Sequence, residues 1–157
     1  NYRSHAEVFD LAAQVIRPVF PDADLPHAVR STGSQPRLAV CARDELMDTI
    51  GREVATLAEQ VQGTIGIIVP RSLMGLVRRS ASSQPALVAN LERCVVVTPL
   101  ECKGLEYDGV LVVAPDLVVD ETPGGERVLY VCLTRPTQRL TTLDVDGVPG
   151  TWRPEGL

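Results

Sequence analysis

The chain has 157 residues, 45% of them hydrophobic, with a net charge of −5 and a pI near 5.0. That suits one folded domain with a real core, while apolar runs of about five residues fall far short of a membrane span. The acidic balance argues against a free-standing nucleic-acid binder, and the lack of a charged-then-apolar leader argues for a cytoplasmic protein without membrane attachment.

Asn1 rather than Met opens the chain, so a longer parent protein is expected. Ser4-His5-Ala6-Glu7 has the form of a capping box, the serine capping and the glutamate reaching back. Behind it Val8, Leu11, Ala12, Val15 and Ile16 recur at helical spacing until Pro18 stops the pattern. Residues 21–36, rich in Pro, Gly and Ser, read as loop or flexible connection. Residues 37–41 form a short strand, and Leu46, Ile50, Val54, Leu57 and Val61 the stripe of a second helix ending near Gly63. The unbroken apolar run 65–69 is a fully buried strand. Pro70-Arg71-Ser72 opens a third helix through about Arg79, and residues 86–91 add one further turn.

Residues 94–98 and 109–114 read as two more buried strands, with a polar loop around Lys103 between them. Residues 120–126 are a surface loop, 127–134 a helix and 140–145 a closing strand. One domain is expected, with a core over residues 1–145 and a tail over 146–157, in which Trp152 either folds back as an anchor or belongs to a missing neighbour. The alternation predicts an α/β fold, a mainly parallel sheet with helices on both faces. Ligands of such sheets sit at the carboxyl ends of strands, where Thr98 and the Lys103 loop are expected.

Cysteines at 41, 94, 102 and 132 lie no closer than eight positions apart, a poor pattern for zinc. Cys94 and Cys132 fall in apolar patterns and read as small buried hydrophobes, reduced in a cytosolic protein. Arg71, Arg78 and Arg79 cluster without an intervening acid, either as a phosphate-facing edge or as a solvated helix face. Lys103 is the only lysine among fifteen basic residues. With Glu106 and Arg135 it could serve a phosphate-bearing ligand, or all three could be solvated loop and helix residues.

Three segments together carry a resemblance. Asn1-Tyr2-Arg3-Ser4 before a helix, Lys103-Gly104-Leu105-Glu106-Tyr107 before a strand, and Leu129-Tyr130-Val131 with Leu133-Thr134-Arg135 resemble, in order, three motifs of the second RecA-like domain of UvrD/Rep-like superfamily 1 helicases. The resemblance spans about residues 1–145 and implies a RecA-like P-loop NTPase fold. It implies that Tyr2 stacks on the adenine of ATP, that Arg3 reaches the γ-phosphate, that Glu106 contacts the sugar side, and that Arg135 is the arginine finger. A guanidinium in that last role stabilises charge building on the transferred phosphoryl group. Thr98, Lys103 and Gly104 would shape the loop that couples nucleotide state to nucleic acid.

The chain also departs from that pattern. Leu100 and Glu101 stand where the family carries a polar pair, and a carboxylate facing a phosphodiester repels it. Pro136 follows Arg135 and restricts it away from helical geometry. No accessory domain fits between the first two motifs. These features look closer to the helicase-like ATPases that associate with bacterial RNA polymerase, and the near-exclusive use of arginine suits a GC-rich bacterial genome. No Gly-x-x-x-x-Gly-Lys-Ser/Thr occurs, so the phosphate-binding loop itself is lacking and the isolated chain is expected to be inactive. ATP would bind with Mg²⁺ held by a missing amino-terminal RecA-like domain. Partners implied are that domain, single-stranded DNA and RNA polymerase. Two motor functions follow, a DNA helicase or translocase and an ATP-driven polymerase remodelling factor. A degenerate protein-binding domain is the third.

Overall fold

The computed structural model of the protein describes residues 6–19, 35–146 and 150–152. The Ser4 cap, Tyr2, Arg3 and most of the segment 21–36 lie outside the described residues. Five strands, β1 (Arg37–Cys41), β2 (Ile65–Ile68), β3 (Cys94–Val97), β4 (Tyr107–Val113) and β5 (Pro136–Val145), form one parallel sheet in the order β1-β5-β4-β2-β3. Six α-helices are described: α1 (Ala6–Ile16), α2 (Leu46–Gln60), α3 (Arg71–Ser80), α4 (Pro85–Ala89), α5 (Pro115–Asp120) and α6 (Gly125–Leu133).

The side chains of β4 alternate between two cores. Leu111 and Val113 point to a layer built from Leu46, Ile50, Val54 and Leu57 of α2, Leu73 and Val77 of α3, and Leu87 of α4. Val110 and Val112 point the other way, to Val8, Leu11 and Val15 of α1, Val118 of α5, and Leu129 and Leu133 of α6. A strand buried on both faces has no use for a polar alternate residue, which explains its continuous apolar run. The three-residue and four-residue spacing of α1 and α2 places one stripe of each helix against the sheet.

Two glycines are fixed by this packing. A Cβ on Gly66 would lie 2.6 Å from the ring of Tyr107, so β2 needs glycine where that ring crosses it. A Cβ on Gly125 would lie 1.9 Å from the carbonyl oxygen of Val119, because the start of α6 rests on the backbone of α5.

Several elements differ from their predicted form. Residues 94–98 are not a buried strand: β3 is a sheet edge, with Val97 buried and Val95 43% exposed. Its apolar run reflects partial packing on both faces, Cys94 and Val96 against the first core and Val97 in the second, which composition alone does not distinguish from full burial. β5 begins at Pro136, earlier than expected, because its polar first residues pair with the start of β4 across a bulge between Tyr107 and Gly109. Pro115–Asp120 forms a helix that periodicity leaves unassigned; six residues are too few for a pattern, and Ala114 enters it at φ +49°. α6 starts two residues before the expected Arg127. Cys94 is only half-buried, whereas Cys132 is fully buried as expected. Arg71, Arg78 and Arg79 are all exposed on α3, a solvated face.

Polar side chains close the gaps between elements. Arg93, before β3, donates from Nε to the Gly63 carbonyl at 3.0 Å, from Nη1 to Ala58 at 3.1 Å, and from Nη2 to Val61. It is a cation set against the carbonyl end of α2. Arg37 of β1 meets Glu53 of α2 through two bonds of 2.7 and 3.1 Å. Trp152 folds back into the domain: its indole Nε1 donates to Asp144 at 2.6 Å, and its backbone N–H to Asp116 at 2.8 Å.

Arg93→Ala removes a charged donor from three carbonyls, and the domain is expected to lose about 2 kcal/mol in urea unfolding. Gly125→Ala drives a Cβ into backbone that has no rotamer to yield, so a loss above about 3 kcal/mol is expected. In the same assay Gly124→Ala, which meets open space at φ +70°, should cost only about 1 kcal/mol.

Candidate functional site

The loop of residues 98–106 leaves the carboxyl end of β3 and enters β4 at the opposite end of the sheet. Two turns make this run back possible. In the first, Glu101 N–H donates to the Thr98 hydroxyl at 3.3 Å and to its carbonyl at 3.1 Å, while Thr98 N–H donates to Glu101 Oε1 at 2.8 Å. In the second, Leu105 N–H donates to the Cys102 carbonyl at 3.1 Å, and Gly104 takes φ +82°, open to glycine at no steric cost. Between the turns Cys102 is driven inward and packs with Val97, Tyr107 and Cys132. Lys103, Gly104, Leu105 and Glu106 are all exposed.

This geometry corrects the expectation that Thr98 and the whole loop share one carboxyl end. Thr98 sits there. Glu106 sits at the amino end of β4, beside Arg135 at the amino end of β5. The cause is that β3 is only four residues long, about 13 Å, so two tight turns are enough to bring the chain back.

Arg135 joins the two later motifs. Its Nη1 donates to the Leu105 carbonyl at 3.2 Å, its Nε to the Val131 carbonyl at 3.0 Å, and its Nη2 to the Thr134 hydroxyl at 3.4 Å. Tyr107 N–H in turn donates to the Arg135 carbonyl at 3.2 Å. α6 has ended at Leu133, and Pro136 opens β5, so Arg135 occupies the junction and folds its guanidinium back on the Val131 carbonyl in the helix's last turn. A cation is favoured there by the helix dipole. The Leu105 and Thr134 contacts are long and replaceable, whereas the Nε bond is a shorter pivot.

Glu101 has a structural role beside its charge. Its carboxylate closes the Thr98 turn, and the Thr98 backbone N–H, then the Thr98 hydroxyl, hold it below the usual carboxylate range, with the charge of Arg78 adding to this. Leu100 beside it is 59% exposed. Tyr107 lies beneath the loop with its hydroxyl buried and no hydrogen-bond partner among the described residues, and burial pushes its phenol up. The Cys102–Cys132 contact, with sulfurs 3.7 Å apart, carries no sequence signal, since Cys102 sits in a polar stretch thirty positions from its neighbour.

No protein-family profile matches the chain, and no curated protein does. Among solved structures it is similar to the C-terminal domain of a possible DNA helicase from Lactobacillus plantarum WCFS1, with a TM-score of 0.68 at 19% identity, over 97% of this chain and 92% of that one. The chain has a RecA-like α/β fold. Tyr2 and Arg3 lie outside the described residues; of the others, Glu106 and Arg135 meet at one end of the sheet, Thr98 lies at the other, and Lys103 and Gly104 lie in the loop between. Among the described residues no group of three or more His, Cys, Asp or Glu side chains could hold a metal ion. No described helix is long and apolar enough to cross a membrane.

The Glu101 bond gives a pH signature. A carboxylate whose folded pKa is lowered contributes stability above its unfolded pKa and loses it as pH falls through the folded one. The Thr98 amide resonance should therefore titrate with a midpoint below that of an unstructured glutamate, and Glu101→Gln should abolish the step. A midpoint at the ordinary glutamate value would remove the assignment.

Proposed function

We propose that the chain is the carboxyl-terminal motor domain of an ATP-dependent superfamily 1 helicase or translocase. Its fold supports this reading through its similarity to the domain of a possible DNA helicase. The observation that carries the reading is the hydrogen bond from Arg135 to the Leu105 carbonyl, which sets the arginine next to Glu106 at one end of the sheet. ATP would lie between this end and an amino-terminal RecA-like domain, which supplies the phosphate-binding loop and the Mg²⁺ ligands. Glu106, exposed, would meet the sugar side, and Tyr2 and Arg3 would complete this face.

Arg135 then works by exchange of partners. Toward a γ-phosphate, Nη1 and Nη2, now on the Leu105 carbonyl and the Thr134 hydroxyl, would be the groups to supply donors, with Nε on the Val131 carbonyl orienting the guanidinium. The guanidinium stabilises charge that builds on the transferred group. Loss of the Leu105 bond would remove one tie on the loop of residues 98–106, and that would link nucleotide state to Lys103 and Gly104.

A second reading is an ATP-driven factor that binds and remodels RNA polymerase. The exposed Leu100 at the outer turn of the loop favours it, because an apolar tip suits a protein surface better than a phosphodiester. In the chain joined to its amino-terminal half, Arg135→Ala should lower ATP turnover about a thousandfold. Stimulation by single-stranded DNA supports the helicase reading, and indifference to DNA with co-purification of RNA polymerase supports the second. Turnover unchanged by Arg135→Ala would sink both motor readings and leave a protein-binding domain.

A further inference from the structure

Two of the four cysteines meet inside the domain. Cys102, in the loop before Lys103, and Cys132, in α6, are both fully buried, with their sulfurs 3.7 Å apart. Both also face the Pro99 carbonyl, Cys102 at 3.0 Å and Cys132 at 4.0 Å. Cys41 and Cys94 lie on β1 and β3, the two opposite edges of the sheet. We infer that Cys102 and Cys132 form a reversible disulfide site that ties the loop of residues 98–106 to α6, three residues before Arg135.

The geometry needs a modest adjustment. A disulfide brings the sulfurs to about 2.05 Å, and the side carrying Cys102 is a loop rather than a packed helix. Lys103, Gly104, Leu105 and Glu106 above it are all exposed, so loop opening admits a small oxidant. The two thiols are also unequal. The contact with the Cys132 sulfur, with the charge of Arg135, holds the Cys102 thiol below its ordinary value against the pull of burial. That same contact, together with burial, pushes Cys132 well above its own. Cys102, carried by the loop under the exposed residues 103–106, is the attacking sulfur, and Cys132, held within α6, the resolving one.

With a hydroperoxide as oxidant the step balances. Cys102 Sγ attacks the O–O bond of hydrogen peroxide, giving a sulfenic acid and one water. Cys132 Sγ then attacks the Cys102 sulfur, and the displaced hydroxyl leaves as a second water with the proton of the Cys132 thiol. The two thiols lose two electrons and two protons, and the peroxide gains them. A thiol or dithiol reductant reverses the bond by exchange. In the oxidised state the loop and the end of α6 no longer move apart. This inference does not depend on the nucleotide reading, since its test reads the thiols themselves.

The native chain is treated with hydrogen peroxide, its remaining thiols are alkylated, and unreduced peptides are mapped by mass spectrometry. The expected product is a cross-linked pair containing Cys102 and Cys132, about 2 Da lighter than the two free thiols and reopened by dithiothreitol, with Cys41 and Cys94 alkylated. Cys132→Ser should leave a sulfenic acid at Cys102 that dimedone traps, and Cys102→Ser should give neither cross-link nor adduct at Cys132. Recovery of Cys102 and Cys132 as free thiols while Cys94 is oxidised would overturn the inference, as would a cross-link that forms only in urea. The map of the unsubstituted chain decides the matter even if a serine variant fails to fold.

Discussion

β4 is the strand on which the fold rests. Residues 110–113 are fully buried and alternate between the two cores, so neither face of the sheet can be left to water. Parallel neighbours require crossovers, and each crossover has to cover one of the two faces. α2 and the α3–α4 pair cover one. α1, α5 and α6 cover the other, except above β2. There the connection from β3 to β4 has no helix, and the inward turn of residues 98–106 fills the space with Cys102 and the Tyr107 ring. Gly66 lies below because that ring leaves no room for a side chain. A loop that would otherwise be surface ornament is thus part of the core on one side and solvent-facing on the other.

That dual character explains how a small set of polar contacts can matter. The loop is tied down by the Thr98–Glu101 bonds at one end and by Arg135 at the other. Arg135 in turn belongs to the junction between α6 and β5. A change of partner at this guanidinium is therefore felt in the loop, in the helix end and at the start of a central strand.

Much of this architecture could be read from the chain before its coordinates. The helical stripes of α1 and α2 and the apolar runs of β2 and β4 declare themselves through period and length. The elements that escaped are those whose residues serve two masters. β3 is apolar yet sits at an edge, Pro136 to Arg139 are polar yet pair with β4, and α5 is too short for periodicity. The Arg135–Leu105 contact could not be read from the sequence, since the resemblance named both motifs but no bond between them and Leu105 accepts through its backbone carbonyl. Glu101 gave only its charge to the sequence reading, whereas its carboxylate also accepts a backbone N–H three residues back and shapes the turn. Arg93 gave no signal, since its partners are backbone carbonyls that no side-chain pattern reveals. The Cys102–Cys132 contact is long-range and equally silent.

Trp152 is the single tryptophan of the chain, and its indole is buried against the second core with its N–H on Asp144. Asp144 lies on β5 and pairs with Val40 of β1, while Asp116 on α5 holds the Trp152 backbone. One fluorophore thus stands where an edge strand, a central strand and a helix converge. Its emission is a built-in optical gauge of whether those three pieces remain assembled, read without labels and without interference from any other indole.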